Sequence, residues 1–151
     1  MDQRMSKDKY YLNIADAVLD RSTCLRRKYG AIIVKNDEIL STGYNGAPRG
    51  RVNCSELGYC NREQLRIPSG QRYELCRSVH AEANAITKVA KSANNCDGST
   101  LYITAAPCIE CSKLIIQAGI RRVVYSDDYR SEEGLDLLRR VGIECVQIPG
   151  E

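Results

Sequence analysis

Apolar and polar positions change period several times along the chain, and each change marks an element. From Lys7 to Arg21, the residues Tyr11, Ile14, Ala15, Val18 and Leu19 recur at helical spacing, which predicts an opening amphipathic helix. Gly30-Ala31-Ile32-Ile33-Val34-Lys35 predicts a strand. Asn36-Asp37 turns the chain, and Glu38 to Tyr44 returns as its antiparallel partner. Residues 45–78 break this rhythm. They are rich in Gly, Pro, Arg and Cys and poor in periodicity, and a structureless stretch of that length needs an internal staple inside a compact domain. Beyond it the pattern becomes regular again. A helix is predicted from about His80 to Lys91 and a strand over Thr100 to Thr104. Pro107 opens a further helix that Ala118-Gly119 closes; Arg122 to Ser126 is a strand, Glu132 to Val141 a helix and Ile143 to Ile148 a last strand. Helices alternating with strands give parallel strands joined by right-handed crossovers. With the first hairpin, the expected fold is a single α/β domain over residues 1–151, a mixed five-stranded sheet with helices on both faces.

Composition narrows the partners. A length of 151 residues and a hydrophobic fraction of 43% support one packed domain. The net charge of +3, from 22 basic and 19 acidic residues, is too balanced for a nucleic-acid track, so no nucleic-acid partner is expected. A small anionic ligand needs only two or three local cations. The N-terminal residues lack the apolar core of a secretory signal, and no apolar run approaches the ~20 residues that cross a bilayer. The expectation is a cytoplasmic protein with no membrane partner. In that reducing setting, 8 Cys beside a single His suggest metal binding before disulfides.

The candidate chemistry lies in His80-Ala81-Glu82 and Pro107-Cys108-Ile109-Glu110-Cys111. Each segment is weak alone; together, each opening a helix, they match the H-x-E…P-C-x-x-C pattern of zinc deaminases. Cys108 and Cys111 are three apart, which places both sulfurs on one face of a first helical turn. The positive end of the helix dipole there favours thiolates. His80 adds a nitrogen from another helix start. Three protein ligands leave a fourth tetrahedral position for water, the layout of a catalytic Zn2+. Glu82 is then a proton shuttle and not a ligand. A redox dithiol is the competing reading of Cys108 and Cys111, but it leaves His80 and Glu82 without a task.

The chain resembles the deoxycytidylate (dCMP) deaminases of the cytidine deaminase-like superfamily. The resemblance covers nearly all of it: Arg21 to Cys24, Ser41-Thr42-Gly43-Tyr44-Asn45-Gly46-Ala47-Pro48, Val79 to Ile86, Leu101 to Thr104, Pro107 to Cys111, Leu114 to Ile120 and Val124 to Tyr129. It implies a three-layer α/β/α sandwich and hydrolytic deamination of dCMP to dUMP with ammonia release, feeding thymidylate synthesis. It also implies substrate contacts from Arg26, Asn45, Tyr129 and the Ala81 backbone. Homohexamers, activation by dCTP and inhibition by dTTP near Gly43, Tyr44, Asn45 and Gly46, with Mg2+ accompanying the nucleotide effectors, belong to the same expectation. Many members of the family hold a structural zinc between the first helix–strand turn and the insert. Here the single His already has a place, so Cys24, Cys54, Cys60 and Cys76 form the expected second, all-Cys zinc site within a Cys-rich insert at about 45–78. Cys96 and Cys145 are expected to be ordinary packed cysteines. The competing assignments are a deaminase of free cytidine, dCTP or tRNA adenosine on the same fold, and a non-catalytic zinc-stabilised binding module.

Overall fold

The computed structural model describes residues 4–68, 76, 78–128 and 132–149. The elements follow the expected order: α1 (Lys7–Leu19), β1 (Gly30–Lys35), β2 (Glu38–Tyr44), α2 (Cys54–Leu57), α3 (Asn61–Gln64), α4 (Ala81–Ala90), β3 (Thr100–Ala105), α5 (Ile109–Gln117), β4 (Arg122–Asp127), α6 (Glu133–Arg140) and β5 (Glu144–Gln147). The short helices α2 and α3 were not expected, because four residues are too few to show a hydrophobic period. The end of α1 also differs. The helix stops at Leu19 with Asp20 as its cap, short of Arg21.

The sheet order is β2-β1-β3-β4-β5. β1 is antiparallel to both β2 and β3, while β3, β4 and β5 run parallel. At the hairpin, Asn36 and Asp37 both have positive φ (52° and 62°), the twist that suits a two-residue connection between right-twisted strands. Asp37 also ties the turn to α1, accepting from the Tyr11 hydroxyl and pairing with Lys7 at 2.7 Å.

Strand alternation divides the core. Ala31, Ile33, Leu101, Ile103, Val123 and Tyr125 face Ala81, Ala85 and Val89 of α4, Ile115 of α5, and Leu135 and Leu138 of α6. Ile32, Val34, Tyr102 and Val124 face Tyr11 and Leu12 of α1 on the other side. The three layers are therefore α1, the sheet, and α4 with α5 and α6. Two glycines allow close backbone approach. A Cβ on Gly30 would lie 2.1 Å from Ala15 O, and one on Gly43 would lie 2.2 Å from Ala81 O. The excursion after β2 is clipped at its base, where Gly46 and Val79 form an isolated bridge with N–H···O distances of 3.2 and 2.7 Å.

Candidate active site

Two helix N-termini and two strand ends converge at one end of the central strands β1 and β3. His80 is the N-cap of α4, with extended backbone (φ −67°, ψ 154°), so Ala81 and Glu82 occupy the first turn. Cys108 is the N-cap of α5 and accepts a hydrogen bond from Cys111 N–H through its sulfur, at 3.5 Å. Pro107 therefore precedes this helix instead of opening it: a capping sulfur must sit outside the turn whose N–H it receives. β1 begins where β3 ends, because the two are antiparallel with Ala31 opposite Ile103. Gly30 N–H donates to Thr104 Oγ1 at 3.2 Å, and that register brings Tyr29 alongside Ala105.

His80 Nδ1 lies 3.3 Å from Cys111 Sγ and 3.6 Å from Cys108 Sγ, and the three donor atoms all fall within 4.8 Å of one another. A tetrahedral zinc with Zn–S near 2.3 Å and Zn–N near 2.1 Å requires N···S separations of about 3.6 Å. The residues thus fit zinc in donor type and spacing. Among the described residues this group has three members. The hydrogen bond from Cys111 pulls the Cys108 thiol well below the usual range, and Cys111 is pushed up in turn.

Glu82 is 5% exposed. Burial pushes its carboxyl above the usual range, and the His80 and Cys108 charges act on it at close quarters. Glu82 therefore lies beside the donor group without belonging to it. Tyr29, His80, Glu82, Ile103, Ala105, Ala106 and Cys108 enclose a cavity of about 20 Å³.

Residues 5–127 match the family described as the cytidine and deoxycytidylate deaminase zinc-binding region. The chain belongs to the cytidine and deoxycytidylate deaminase family. Within it, the chain is 36% identical to the deoxycytidylate deaminase of enterobacteria phage T4 over 169 residues, covering 91% of this chain and 88% of that protein. It is 36% identical to the deoxycytidylate deaminase of Schizosaccharomyces pombe, covering 98% of this chain but only 46% of the yeast protein, so it spans about half that relative's length. The crystal structure of the dCMP deaminase of cyanophage S-TIM5, in complex with dCMP and dUMP, superposes with a TM-score of 0.80 at 37% identity, covering 96% of this chain and 100% of that one. The five-stranded mixed sheet is the deaminase fold of that structure.

The deaminase framework places the remaining sequence-predicted residues unevenly. Ala81 is fully buried beside Glu82. Asn45 is 4% exposed, and its Oδ1 accepts from the Ser22 hydroxyl and from Tyr29 N–H (2.9 Å), while Nδ2 donates to Arg27 O (2.8 Å). Arg26 donates through Nη2 to Ile67 O at 2.8 Å and approaches Glu63 through Nε at 3.6 Å; its buried Nη1 has no hydrogen-bond partner among the described residues. Tyr129 lies outside the described residues. Tyr44 and Gly46, with Arg21, Asn53, Asn84 and Lys88, line a second cavity of about 280 Å³; Gly43 instead packs against α4. Cys54 is buried, which raises its thiol, and Cys24, Cys76 and Cys60 are near enough to raise it further. These four do not close to the spacing of the His80 group. Cys96 sits in the core at 5% exposure, and Cys145 packs at its margin.

Sequence reasoning missed Tyr29 and Arg62. Tyr29 could have been found from strand register, since it precedes a strand that pairs with the end of β3. Arg62 is only 6% exposed, and its charge reaches Tyr29 and His80. It lies in α3, where no period or motif marks it.

Proposed function

We propose that this chain hydrolyses dCMP to dUMP and ammonia. The observation that carries this reading is the three-donor group of His80, Cys108 and Cys111 with a buried, uncoordinated Glu82 against it. Held by those three donors, a zinc ion would supply a Lewis acid that lowers the pKa of water toward about 7. Glu82 takes a proton from the attacking water and gives it to N3 of the cytosine ring as oxygen adds to C4. It then takes the proton of the new C4 hydroxyl and passes it to the departing amine, so that ammonia leaves as the C4–N bond breaks and the C4 carbonyl of dUMP forms. A carboxyl raised by burial suits a group that must both accept and donate near neutral pH. The phage relatives support the mononucleotide as substrate.

Arg26 and Tyr129 are assigned to the substrate's 5′-phosphate, a role supported by Arg26 Nη1, which is buried without a hydrogen-bond partner among the described residues. The Ala81 backbone is assigned to the base. Asn45 uses both lone pairs of Oδ1 internally, so its contribution runs through the N–H that remains and through the placement of Tyr29. Regulation by dCTP and dTTP, with Mg2+, is assigned to the cavity beside Tyr44 and Gly46, where Arg21 and Lys88 supply cations. The clustering of Cys24, Cys60 and Cys76 around Cys54 supports a second, structural zinc that orders the insert. A homohexamer in the cytoplasm completes the reading. No helix of the described residues is long and apolar enough to cross a membrane.

The test is ammonia release from dCMP, cytidine, deoxycytidine and dCTP, with and without dCTP or dTTP as effector, on protein of known zinc content. Turnover of dCMP well above the others is expected. A preference for free cytidine, or no turnover by fully zinc-loaded protein, would overturn the proposal.

A further inference from the structure

The cavity at the metal group is too small for the reaction assigned to it. Its volume of about 20 Å³ accommodates roughly one water and not a pyrimidine ring. Something lining it must move. Ile103, Ala105, Ala106, Cys108 and Glu82 are all buried at 7% exposure or less, on strand ends or helix starts, and His80 is committed to the metal group. Among the described residues that line it, Tyr29 is different: a large ring, half-buried.

Its backbone cannot supply the movement. Tyr29 N–H is held by Asn45 Oδ1, and the next residue, Gly30, is pinned between Thr104 and the α1 backbone. Only side-chain rotation remains, and it changes the slot while leaving the metal group in place. The Arg27 guanidinium, exposed and 5.2 Å from the ring centroid, offers a cation to the ring's face at the rim.

We propose that Tyr29 is a substrate-contacting residue that rotates out of the slot to admit the cytosine ring and then packs against it. The ring, not the hydroxyl, does this work. Asn45 acts as the positioning residue for Tyr29, whose N–H its Oδ1 accepts. The inference rests on the deaminase reading above.

Two variants test it. Stacking of a base on an aromatic ring implies that Tyr29→Ala raises KM for dCMP by roughly 5- to 100-fold, with a smaller change in kcat and unchanged zinc per chain. Tyr29→Phe should stay within about twofold of the parent in both parameters. A KM unchanged in Tyr29→Ala, or a loss in Tyr29→Phe equal to that in Tyr29→Ala, would overturn the proposal. Because the chain has no Trp, Tyr29→Trp introduces a single indole at the slot. Its emission should shift saturably on titration with dUMP, and an emission indifferent to dUMP at concentrations that inhibit the enzyme would equally overturn it. Should the parent turn over cytidine and not dCMP, the dCMP assignment fails, while the Tyr29 measurements proceed with cytidine and uridine.

Discussion

Two groups of cysteines in this chain illustrate different ways of bringing sulfur together. Cys108 and Cys111 share one helix start, three residues apart, on a strand end whose register is set by buried neighbours on both sides. Their spacing is local, so the backbone alone determines it. Cys24, Cys54, Cys60 and Cys76 are spread over more than fifty residues, and two short helices bring them near one another without closing to ligand distance. In the first group, folding makes the site. In the second, we expect the metal to finish the folding.

Breaking the chemistry of the first group gives the largest effect. Glu82→Gln keeps all three donors and removes only the proton carrier, so kcat for ammonia release should fall roughly 10²–10⁴-fold. Zinc per chain, measured by atomic emission, should not change. The second group should respond in the opposite way. Cys54→Ser is expected to remove one zinc per chain and about 3 kcal/mol of stability, or roughly 10 °C in Tm at this size. Cys96→Ser, at a packed core position, should leave the zinc count alone.

The rigidity of the first group can be probed without touching a ligand. A Cβ on Gly134 would lie 2.4 Å from Pro107 O and 3.0 Å from Cys108 O, so α6 seats directly on the loop that carries the sulfur. Gly134→Ala should cost about 2 kcal/mol by calorimetry and weaken zinc retention against a chelator. The smallest effect belongs to the frame behind both groups. Arg122 makes a bidentate pair with Asp8, both contacts at 2.7 Å, joining β4 to α1, and this holds the Asp8 carboxyl below its usual range. A depressed carboxyl contributes stability above its unfolded pKa, and that contribution is lost as pH falls through the folded value. Asp8→Asn should therefore lower stability by about 1 kcal/mol near neutral pH, and the gap from the parent should close below about pH 4.

The same contrast explains what could be read beforehand. The strands and long helices were legible because burial on one face imposes a period, and His80, Glu82, Cys108 and Cys111 because short spacing at helix starts fixes geometry locally. Arg62 and the order of the insert were not, since four-residue helices carry no period and their placement depends on distant contacts. Asn45 was legible as a residue of the site but not in its geometry: its hydrogen bonds to Ser22, Arg27 and Tyr29 span up to 23 positions in sequence. Tyr29 lay between the two cases, visible only once β1 is paired against the end of β3.

The clip between Gly46 and Val79 closes one residue before His80. Whatever lies between those two bridgeheads can grow, shrink or be exchanged, and the histidine still leaves the junction from the same point. Because the entropy of closing a flexible loop rises only with the logarithm of its length, the junction works as a socket: hardware can be fitted there by insertion while the point from which the histidine departs is inherited unaltered.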